Sequence, residues 1–257
     1  MSIHKTAIVH SGAKVARGVT IGPYTVIGKD VVLSKGVKIA SHCVVEGRTT
    51  IGENTEIFSG AVVGSIPQDR KFKIEEKTYL EIGANNIIRE FVTMNPGTGE
   101  GGKTTIGDDN LFMAYTHVAH DCVIGSHCTM ANVGTLAGHV TLEDHVVIGG
   151  LSAIHQFVRL GKFAIVGGCS KVVQDIPPFS TCDGHPARVY GLNLVGLKRA
   201  NFTSQTLRDL KRAFKILFFS ELVKSTAVQE VKKQITPSPE IDHLLQFVQT
   251  SQRGLCS

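Results

Sequence analysis

Residues 117–128, HVAHDCVIGSHC, concentrate side chains that can move a proton or hold a metal ion. An imidazole titrates near neutral pH, so a histidine here could take a proton from a hydroxyl group and return it to a leaving group. Imidazole and thiolate groups are also ligands that zinc prefers. Polar decoration of an exposed surface is the third interpretation. The side chains concerned are His117, His120, Asp121, Cys122, His127 and Cys128.

The choice depends on how the backbone places these side chains, and the backbone carries a repeat of six residues. Apolar side chains stand at every sixth position from Val9 to Val63 and from Ile106 to Val172. At 42% hydrophobic content, chance would produce both runs far less than about once in a million sequences. A period of six with an aliphatic anchor predicts a parallel β-helix, in which three units close each coil of a triangular prism.

The corners of this prism decide which side chains meet. Glycine often follows the anchor, as at Gly22 and Gly52, and we expect it there because tight corners need backbone angles that other residues resist. Three units make a coil of about 18 residues. His120, His139 and His155 should therefore lie along nearly one edge of three successive coils.

General-base catalysis by His120 fits this arrangement. Gly138 is expected to lie above His120, where it leaves room for a carbonyl group and could offer its N–H to a developing oxyanion. Asp121 could orient the imidazole or stabilise its charged form. Adjacent residues of a straight strand face opposite ways, so this pairing requires a corner of the chain at residues 120 and 121.

Two other interpretations remain open for the histidines. A zinc site would draw on His117, His120, Cys122 and His139. That spacing is not a standard closed zinc pattern, and a zinc lyase of the carbonic anhydrase type is the enzyme class it would suggest. For His42, His127 and His145, the better interpretation is a solvated surface side chain without a functional role.

Two segments interrupt the repeat. Residues 65–80, SIPQDRKFKIEEKTYL, carry Gln68, Asp69 and Lys71, and residues 95–104, NPGTGEGGKT, are rich in glycine. Both are expected to be loops that project from the prism. Loops on a rigid scaffold often carry binding groups, although solvated insertions are the plain alternative.

The pattern becomes helical after Gly191, which divides the chain into a β-helix domain, residues 1–190, and a small α-helical domain, residues 191–257. Thr203 or Ser204 should cap the first helix. Thr226 and Gln229 could form a capping box for the next helix, and Ser238 with Pro239 should begin the last one. The apolar residues expected on helix faces are Leu207, Leu210, Phe214 and Leu217, and then Ile241, Leu244, Leu245 and Val248.

Composition limits the function classes. The net charge is +5, and no Lys/Arg block of the kind found in nucleic-acid tails is present, so an acidic partner or a phosphate-bearing substrate fits better. No apolar run of about 18 residues predicts a membrane span, and the N-terminal residues lack the layout of a signal peptide. The six cysteines form no CxxC pair, so we expect reduced thiols in a cytoplasmic protein.

Seven segments resemble one enzyme family. They are IPQDRK (66–71), HVAHDC (117–122), LAGHV (136–140), AIHQF (153–157), VGGCS (166–170), QDIPP (174–178) and GLNLVGLKR (191–199). The sequence resembles the UDP-N-acetylglucosamine O-acyltransferases, which catalyse the first step of lipid A biosynthesis, over nearly its whole length. Many acyltransferases share the hexapeptide repeat, but HVAHDC, LAGH, IHQF and GLKR together are much more specific.

The resemblance implies a homotrimer of left-handed β-helices with active sites between subunits. It implies transfer of a β-hydroxyacyl group from acyl carrier protein to the sugar 3-hydroxyl, without a covalent intermediate. No metal or other cofactor is expected beyond the phosphopantetheine of the carrier protein, and no nucleic acid or integral membrane association is implied.

The resemblance also implies roles for individual residues. His120 is the general base, Asp121 its orienting partner and Gly138 the oxyanion donor. Gly168 stands where relatives limit the length of the acyl chain, so its missing side chain predicts a long chain, unless this glycine only relieves a corner of the repeat or Pro186 or another nearby residue closes the groove instead. The residues expected to contact the donor or the sugar nucleotide are Gln68, Asp69, Lys71, His117, His139, His155, Gln156, Asn193 and Arg199.

Three positions depart from the best-known members. Asn95 stands where histidine is common in the sugar pocket, Val195 where glutamate is common, and Ala200 where a second arginine is common. The same reaction on the 3-amino sugar nucleotide therefore stays open as an alternative. A sister N-acyltransferase is disfavoured because it carries an extra N-terminal domain and the repeat here starts by Val9. A non-catalytic scaffold is disfavoured by the histidine column.

Overall fold

The structure is a computed structural model that describes residues 2–256. Within them the chain forms short strands and then four helices. The strands are β1 (Ser2–Ile3), β2 (Ile8–Val9), β3 (Lys14–Val15), β4 (Thr20–Ile21), β5 (Val26–Ile27), β6 (Val32–Leu33), β7 (Lys38–Ile39), β8 (Val44–Val45), β9 (Arg48–Ile51), β10 (Glu56–Ile57), β11 (Val62–Val63), β12 (Tyr79–Ile82), β13 (Ile87–Ile88), β14 (Thr93–Met94), β15 (Lys103–Ile106), β16 (Leu111–Phe112), β17 (His117–Val118), β18 (Val123–Ile124), β19 (Thr129–Met130), β20 (Thr135–Leu136), β21 (Thr141–Leu142), β22 (Val147–Ile148), β23 (Ala153–Ile154), β24 (Arg159–Leu160), β25 (Ile165–Val166), β26 (Lys171–Val172), β27 (Ser180–Gly184) and β28 (Ala187–Leu192). The helices are α1 (Leu194–Arg199), α2 (Ser204–Phe218), α3 (Lys224–Gln234) and α4 (Pro239–Thr250).

Successive strands join three different sheets in turn. Sheet 1 contains every third strand from β1 to β25, followed by β27 and β28. Sheet 2 contains every third strand from β2 to β26, and sheet 3 contains every third strand from β3 to β24. Ser2 pairs with Thr20 in parallel, so the coil repeats after 18 residues as expected. The predicted fold, a parallel β-helix followed by a small helical region, is confirmed. We call the corners between the sheets edge 1–2, edge 2–3 and edge 3–1.

Two positions of each hexapeptide fill the interior. The second residue of each short strand is the predicted anchor, and Ile39 and Val45 are 3% and 0% exposed. A second buried position lies four residues after the anchor, where Val37 and Cys43 have no exposed surface. Burying each aliphatic side chain contributes about 1.5–3 kcal/mol, so the stacked interior stabilises the prism along its length.

Glycine is required after the anchor for a different reason from the one expected. Gly22 and Gly52 do not adopt left-handed backbone angles. A Cβ atom at Gly22 would lie 2.6 Å from the carbonyl carbon of Ala40 in the next coil. The left-handed corner comes two residues later, at Tyr24 and Asn54, with φ of 58° and 55°. Glycine is needed here because the next coil approaches closely.

The two interruptions are loops that hold each other in place. They connect β11 to β12 and β14 to β15, both at edge 2–3. The amide of Lys77 in the first loop donates to Glu100 Oε2 at 3.0 Å, and the carbonyl oxygen of Lys77 accepts from Gly101 N at 2.9 Å. Gly99 N donates to Glu76 Oε2 at 3.0 Å. The loops therefore form one joined structure, which does not fit two independent solvated insertions.

The end of the prism differs from the repeat. The strands β27 and β28 pair antiparallel, a hairpin that the period of six did not predict. Thr203 caps α2 by accepting from Thr206 N, and Ser238 caps α4, as expected. The capping box predicted at Thr226 is wrong, because α3 begins earlier, after Val223, whose side chain has no acceptor.

The helices pack as their apolar spacing predicts. In α4 the four expected residues are buried, and in α2 Leu210 and Phe214 are buried while Leu207 and Leu217 are half-buried. His243 of α4 reaches Glu143 of the prism, with Nε2 2.7 Å from Oε2. Among the described helices, none combines the length and apolar character needed to cross a membrane.

Candidate active site

His120 and Asp121 form a hydrogen-bonded pair at edge 2–3, in the turn between β17 and β18. His120 Nδ1 lies 2.8 Å from Asp121 Oδ2, and each side chain is 14% exposed. Asp121 has a φ of 59°, which turns the two adjacent side chains to the same side. The corner that this pairing requires is therefore present. With Nδ1 donating to the carboxylate, the lone pair of His120 Nε2 is free to accept a proton.

The imidazole of His120 lies over Gly138 in the next coil. A Cβ atom at Gly138 would come within 2.6 Å of His120 Nε2, so any larger residue would displace the ring. His139 N donates to the His120 carbonyl oxygen at 3.0 Å, which fixes the stacking of the two turns. In residues 2–256 the Gly138 N–H has no protein acceptor. An unpaired amide beside a free imidazole nitrogen can stabilise an oxyanion there.

The carboxylate of Asp121 is held by several donors. Thr98 N donates to Oδ1 at 3.0 Å and the Thr98 hydroxyl donates to Oδ2 at 2.6 Å. His139 Nε2 lies 3.6 Å from Oδ2. Burial raises the pKa of Asp121, but the hydrogen bonds from Thr98 and His120 and the nearby His139 together bring it below its ordinary value. The carboxylate therefore stays ionised beside the imidazole.

His117 lies on β17 beside the pair. Its Nδ1 is 2.7 Å from the hydroxyl of Thr93. Burial, and then the proximity of His120, lower the pKa of His117. The ring is thus a neutral hydrogen-bonding group at neutral pH, suited to a polar substrate atom.

Asn95 holds the base of the first loop. Its Nδ2 donates to the carbonyl oxygens of Ser65 at 3.0 Å and Ile66 at 3.3 Å. The residue is only 4% exposed, and its backbone amide donates to Val118 O at 3.0 Å. The asparagine that stands here in place of histidine therefore ties the first loop to the prism.

The other predicted residues of edge 2–3 lie near the pair to different degrees. The rings of His120 and His139 meet edge to face at 5.2 Å between centroids, and His139 stacks on Phe157 at 4.7 Å. His155 is exposed one coil further on, and its Nδ1 is 3.1 Å from the carbonyl oxygen of Gln156. The predicted column of three histidines is thus a contacting pair with a third member farther along the edge.

Three predicted residues lie on the first loop, which leaves the prism at the same edge. Gln68 and Lys71 are exposed, and Asp69 Oδ1 accepts from Lys71 N at 2.9 Å. The strand before this loop, β11, pairs with β14, which pairs with β17. The loop therefore begins two coils before His120, on its side of the prism.

Asn193 and Arg199 lie away from His120. The Asn193 side chain caps α1 by accepting from Gly196 N at 3.0 Å, and it donates to the Phe163 carbonyl oxygen at 3.0 Å. Phe163 belongs to edge 3–1, so this contact ties α1 to a different edge. Arg199 is exposed in the last turn of α1. Val195 and Ala200, the two departures near these residues, are exposed as well.

Gly168 also lies on a different edge. It follows β25 of sheet 1 and precedes β26 of sheet 2, which places it on edge 1–2. One chain therefore gathers the His120–Asp121 pair, the two loops and the other predicted histidines, but leaves Asn193, Arg199 and Gly168 on its other edges.

The thiol of Cys122 is part of the interior. Its Sγ donates to the Ala137 carbonyl oxygen at 3.3 Å, and burial raises the pKa of Cys122 to about 12. The zinc set built on Cys122 is therefore wrong. A different group, His120, Asp121 and His139, offers ligand atoms that lie within 4.8 Å of one another.

Comparisons with known proteins show which sequences this chain resembles. The family described as Udp N-acetylglucosamine O-acyltransferase, domain 2, matches residues 175–256, and the bacterial transferase hexapeptide family matches residues 103–133. The acyl-[acyl-carrier-protein]–UDP-N-acetylglucosamine O-acyltransferase of Thermodesulfovibrio yellowstonii is 49% identical over 99% of this chain and 98% of its own length. The corresponding Myxococcus xanthus protein is 48% identical over 98% of each chain.

Solved structures resemble this chain as well. LpxA from Acinetobacter baumannii superimposes with a TM-score of 0.96 at 43% identity over 99% of both chains. LpxA from Bacteroides fragilis, a UDP-N-acetylglucosamine acyltransferase, gives a TM-score of 0.96 at 37% identity over 99% of both. With nearly half of its residues shared over its whole length, the chain belongs to the family of acyl-[acyl-carrier-protein]–UDP-N-acetylglucosamine O-acyltransferases.

Proposed function

We propose that this protein transfers a β-hydroxyacyl group from acyl carrier protein to the 3-hydroxyl of UDP-N-acetylglucosamine, the first step of lipid A biosynthesis. The observation that carries the proposal is the His120–Asp121 pair over the bare backbone of Gly138. Full-length relatives that share about half of this sequence bear the name of that activity.

The chemistry needs one base and one oxyanion donor. His120 Nε2 takes the proton of the sugar hydroxyl as its oxygen attacks the thioester carbonyl carbon. Gly138 N–H donates to the oxyanion of the tetrahedral intermediate, and Asp121 stabilises the imidazolium. When the intermediate collapses, the C–S bond breaks and the proton passes from His120 to the phosphopantetheine sulfur. No group of the protein is acylated.

Substrate binding is assigned to the side chains around this pair. His117, His139 and the first loop, with Gln68, Asp69 and Lys71, supply hydrogen-bonding groups on edge 2–3. His155 and Gln156 lie farther along the same edge and are assigned to the acyl donor. Asn193 and Arg199 are assigned to the nucleotide, which requires that they come from a second copy of the chain.

We infer that the chain assembles as a homotrimer through edge 1–2. Large apolar side chains line this edge: Tyr24, Phe91, Tyr115, Val133 and Leu151 are 41–63% exposed. A column of this kind is what a buried self-association surface presents, and each copy would then place its other edges beside a neighbour's His120. Mass measurement in solution tests this, and Leu151→Asp should yield a smaller, inactive species.

The acyl carrier protein suits the basic surface of α2. A cavity of about 670 Å³ lies between β28 and α2 and is lined by apolar side chains and by Arg208, Lys211, Arg212 and Lys215. An acidic carrier protein complements these basic side chains. All six cysteines are free thiols, which supports a reducing, cytoplasmic setting for this reaction.

A product assay tests the function. Purified protein is incubated with a panel of β-hydroxyacyl carrier proteins and with either UDP-N-acetylglucosamine or its 3-amino analogue, and the sugar nucleotides are analysed by mass spectrometry. We expect one acyl group on UDP-N-acetylglucosamine. Absence of acylated product with every donor would overturn the proposal, and preference for the amine would change the acceptor.

A further inference from the structure

The second loop reaches the catalytic pair through Thr98. The Thr98 hydroxyl donates to Asp121 Oδ2 at 2.6 Å, and the Thr98 amide lies 3.0 Å from Oδ1 and 3.2 Å from Oδ2. Asp121 Oδ2 is also the atom that faces His120 Nδ1 at 2.8 Å. Thr98 thus binds the face of the carboxylate that orients the base.

The loop presents Thr98 at a fixed place. Gly97 N donates to Tyr79 O at 3.1 Å, and Gly102 N donates to Gly99 O at 3.0 Å. The amide of Gly99, directly after Thr98, is held by Glu76 Oε2 of the first loop at 3.0 Å. Such short connections on both sides restrict the positions that the Thr98 hydroxyl can take.

A carboxylate with only the imidazole as partner could rotate about its side-chain bonds. Both oxygens of Asp121 have a donor from Thr98, so rotation would break at least one charge-assisted hydrogen bond. The angle of the carboxylate, and with it the angle of the His120 ring over Gly138, is therefore set by a residue 23 positions earlier in the chain.

We propose that Thr98 is a positioning residue of the acyl transfer, which acts through Asp121 to hold His120 Nε2 in line with the attacking hydroxyl. The inference rests on the proposed function. Thr98 itself need not touch either substrate. The hydrogen bond from its hydroxyl is also the largest of the effects that lower the pKa of Asp121 against burial, so the hydroxyl favours the ionised carboxylate.

The test compares three substitutions. Thr98→Val keeps the shape and the backbone amide but removes the hydroxyl, and Thr98→Ser keeps the hydroxyl. Thr104→Val is the matched control, because the Thr104 hydroxyl is buried without a hydrogen-bond partner among the described residues. Steady-state kcat and both KM values are measured across pH by the product assay, with melting temperatures for each variant.

Thr98→Val should lower kcat about 10- to 100-fold, the range expected for losing a hydrogen bond to a charged group, while both KM values stay within about twofold. The acid limb of its kcat/KM profile reports protonation of the base His120 and should move to higher pH, because an Asp121 carboxylate with one donor fewer holds the charged imidazole more strongly. Thr98→Ser and Thr104→Val should resemble the wild type.

Other outcomes overturn the inference. If Thr98→Val matches Thr104→Val in kcat, or loses activity through KM alone with an unmoved pH profile, Thr98 is a structural loop residue. Equal impairment of Thr98→Ser and Thr98→Val would remove the hydroxyl from the argument. Inactive wild-type protein would overturn the proposed function and this inference together, whereas active wild type with active Thr98→Val overturns only the inference.

Discussion

Replacing Gly168 with methionine should shorten the acyl chain that the enzyme prefers. Gly168 is exposed on edge 1–2, and its backbone is not left-handed. The nearest atom to a Cβ added there is Gly150 O at 3.3 Å, so a side chain fits after a small shift. The neighbouring Gly167 offers no such room, because Asp183 Oδ1 lies 2.7 Å from its added Cβ. Gly168 is therefore the position at which a chain-length test leaves the fold of the single chain intact, and because edge 1–2 is the inferred trimer contact, the assembly of Gly168→Met is checked by its mass in solution.

The magnitude follows from the size of the added side chain. A methionine extends about one coil spacing, about 4.8 Å, and so takes the room of roughly four methylenes of a bound acyl tail. Each buried methylene is worth about 0.8 kcal/mol, which gives about 3 kcal/mol in all. That corresponds to a change of about 100-fold in the ratio of kcat/KM values between a long and a short donor.

The assay is a competition between two β-hydroxyacyl carrier proteins that differ by about four methylenes, with both products measured by mass spectrometry. The wild type should favour the longer donor and Gly168→Met the shorter one. Gly150→Met places the same side chain one coil earlier on the edge and should shift the preference further. An unchanged ratio in a correctly assembled Gly168→Met protein, or equal loss with both donors, would mean that Gly168 only relieves a corner of the repeat.

Four further outcomes are expected. His120→Ala should lose about 100- to 10,000-fold in kcat with an unchanged circular dichroism spectrum and oligomeric mass, and near-normal turnover would refute its role as the base. Lys71→Ala should raise the KM for the sugar nucleotide more than it lowers kcat, because an exposed cation that meets the substrate in ground and transition states gives uniform binding; an unchanged KM would leave Lys71 as solvated surface. Prolonged EDTA treatment should leave full activity in protein shown by elemental analysis to be free of zinc, and loss of activity restored by stoichiometric zinc would revive the lyase alternative. Charge reversal by Lys211→Glu with Lys215→Glu should raise the KM for the acyl carrier protein and leave the KM for the sugar nucleotide unchanged, whereas equal effects on both would argue against a carrier surface on α2.

The period of six predicted the prism because one side chain in six must face its interior. It did not reveal the second inward position, four residues after each anchor, because that position takes small polar residues as well as apolar ones. Thr55 and Ser152 are buried there, as are Cys43, Cys122 and Cys128. The cysteines that suggested a metal site are explained by this interior position.

The six-residue period could not predict contacts between segments that are distant in the sequence. Thr98 was visible only as part of a glycine-rich loop, and nothing in its spacing indicates a hydrogen bond to Asp121. The capping role of Asn193 and the β27–β28 hairpin likewise depend on where the prism ends. Sequence periodicity locates the edges of a solenoid, but a side chain that crosses from a loop to an edge follows no period.

The order of two residues in the turn decides whether a corner can be catalytic. His120 and Asp121 occupy the second and third positions after the anchor Val118. At edge 3–1, Asp144 and His145 occupy the same two positions in the reverse order. Asp144 Oδ1 there accepts from the amide of Ser126 at 3.0 Å, so its carboxylate faces the preceding coil.

His145, at the left-handed position, stacks flat on Phe163 with 4.3 Å between ring centroids. An imidazole at that position is thus directed along the column of turns and away from the carboxylate beside it. At residues 120 and 121 the left-handed position holds the carboxylate instead, and the imidazole lies over the backbone of the next coil, where only glycine leaves it room. The sequence His-Asp, followed 18 residues after the histidine by Gly138, therefore carries the geometric condition for a base with an oxyanion donor, whereas histidine content alone does not.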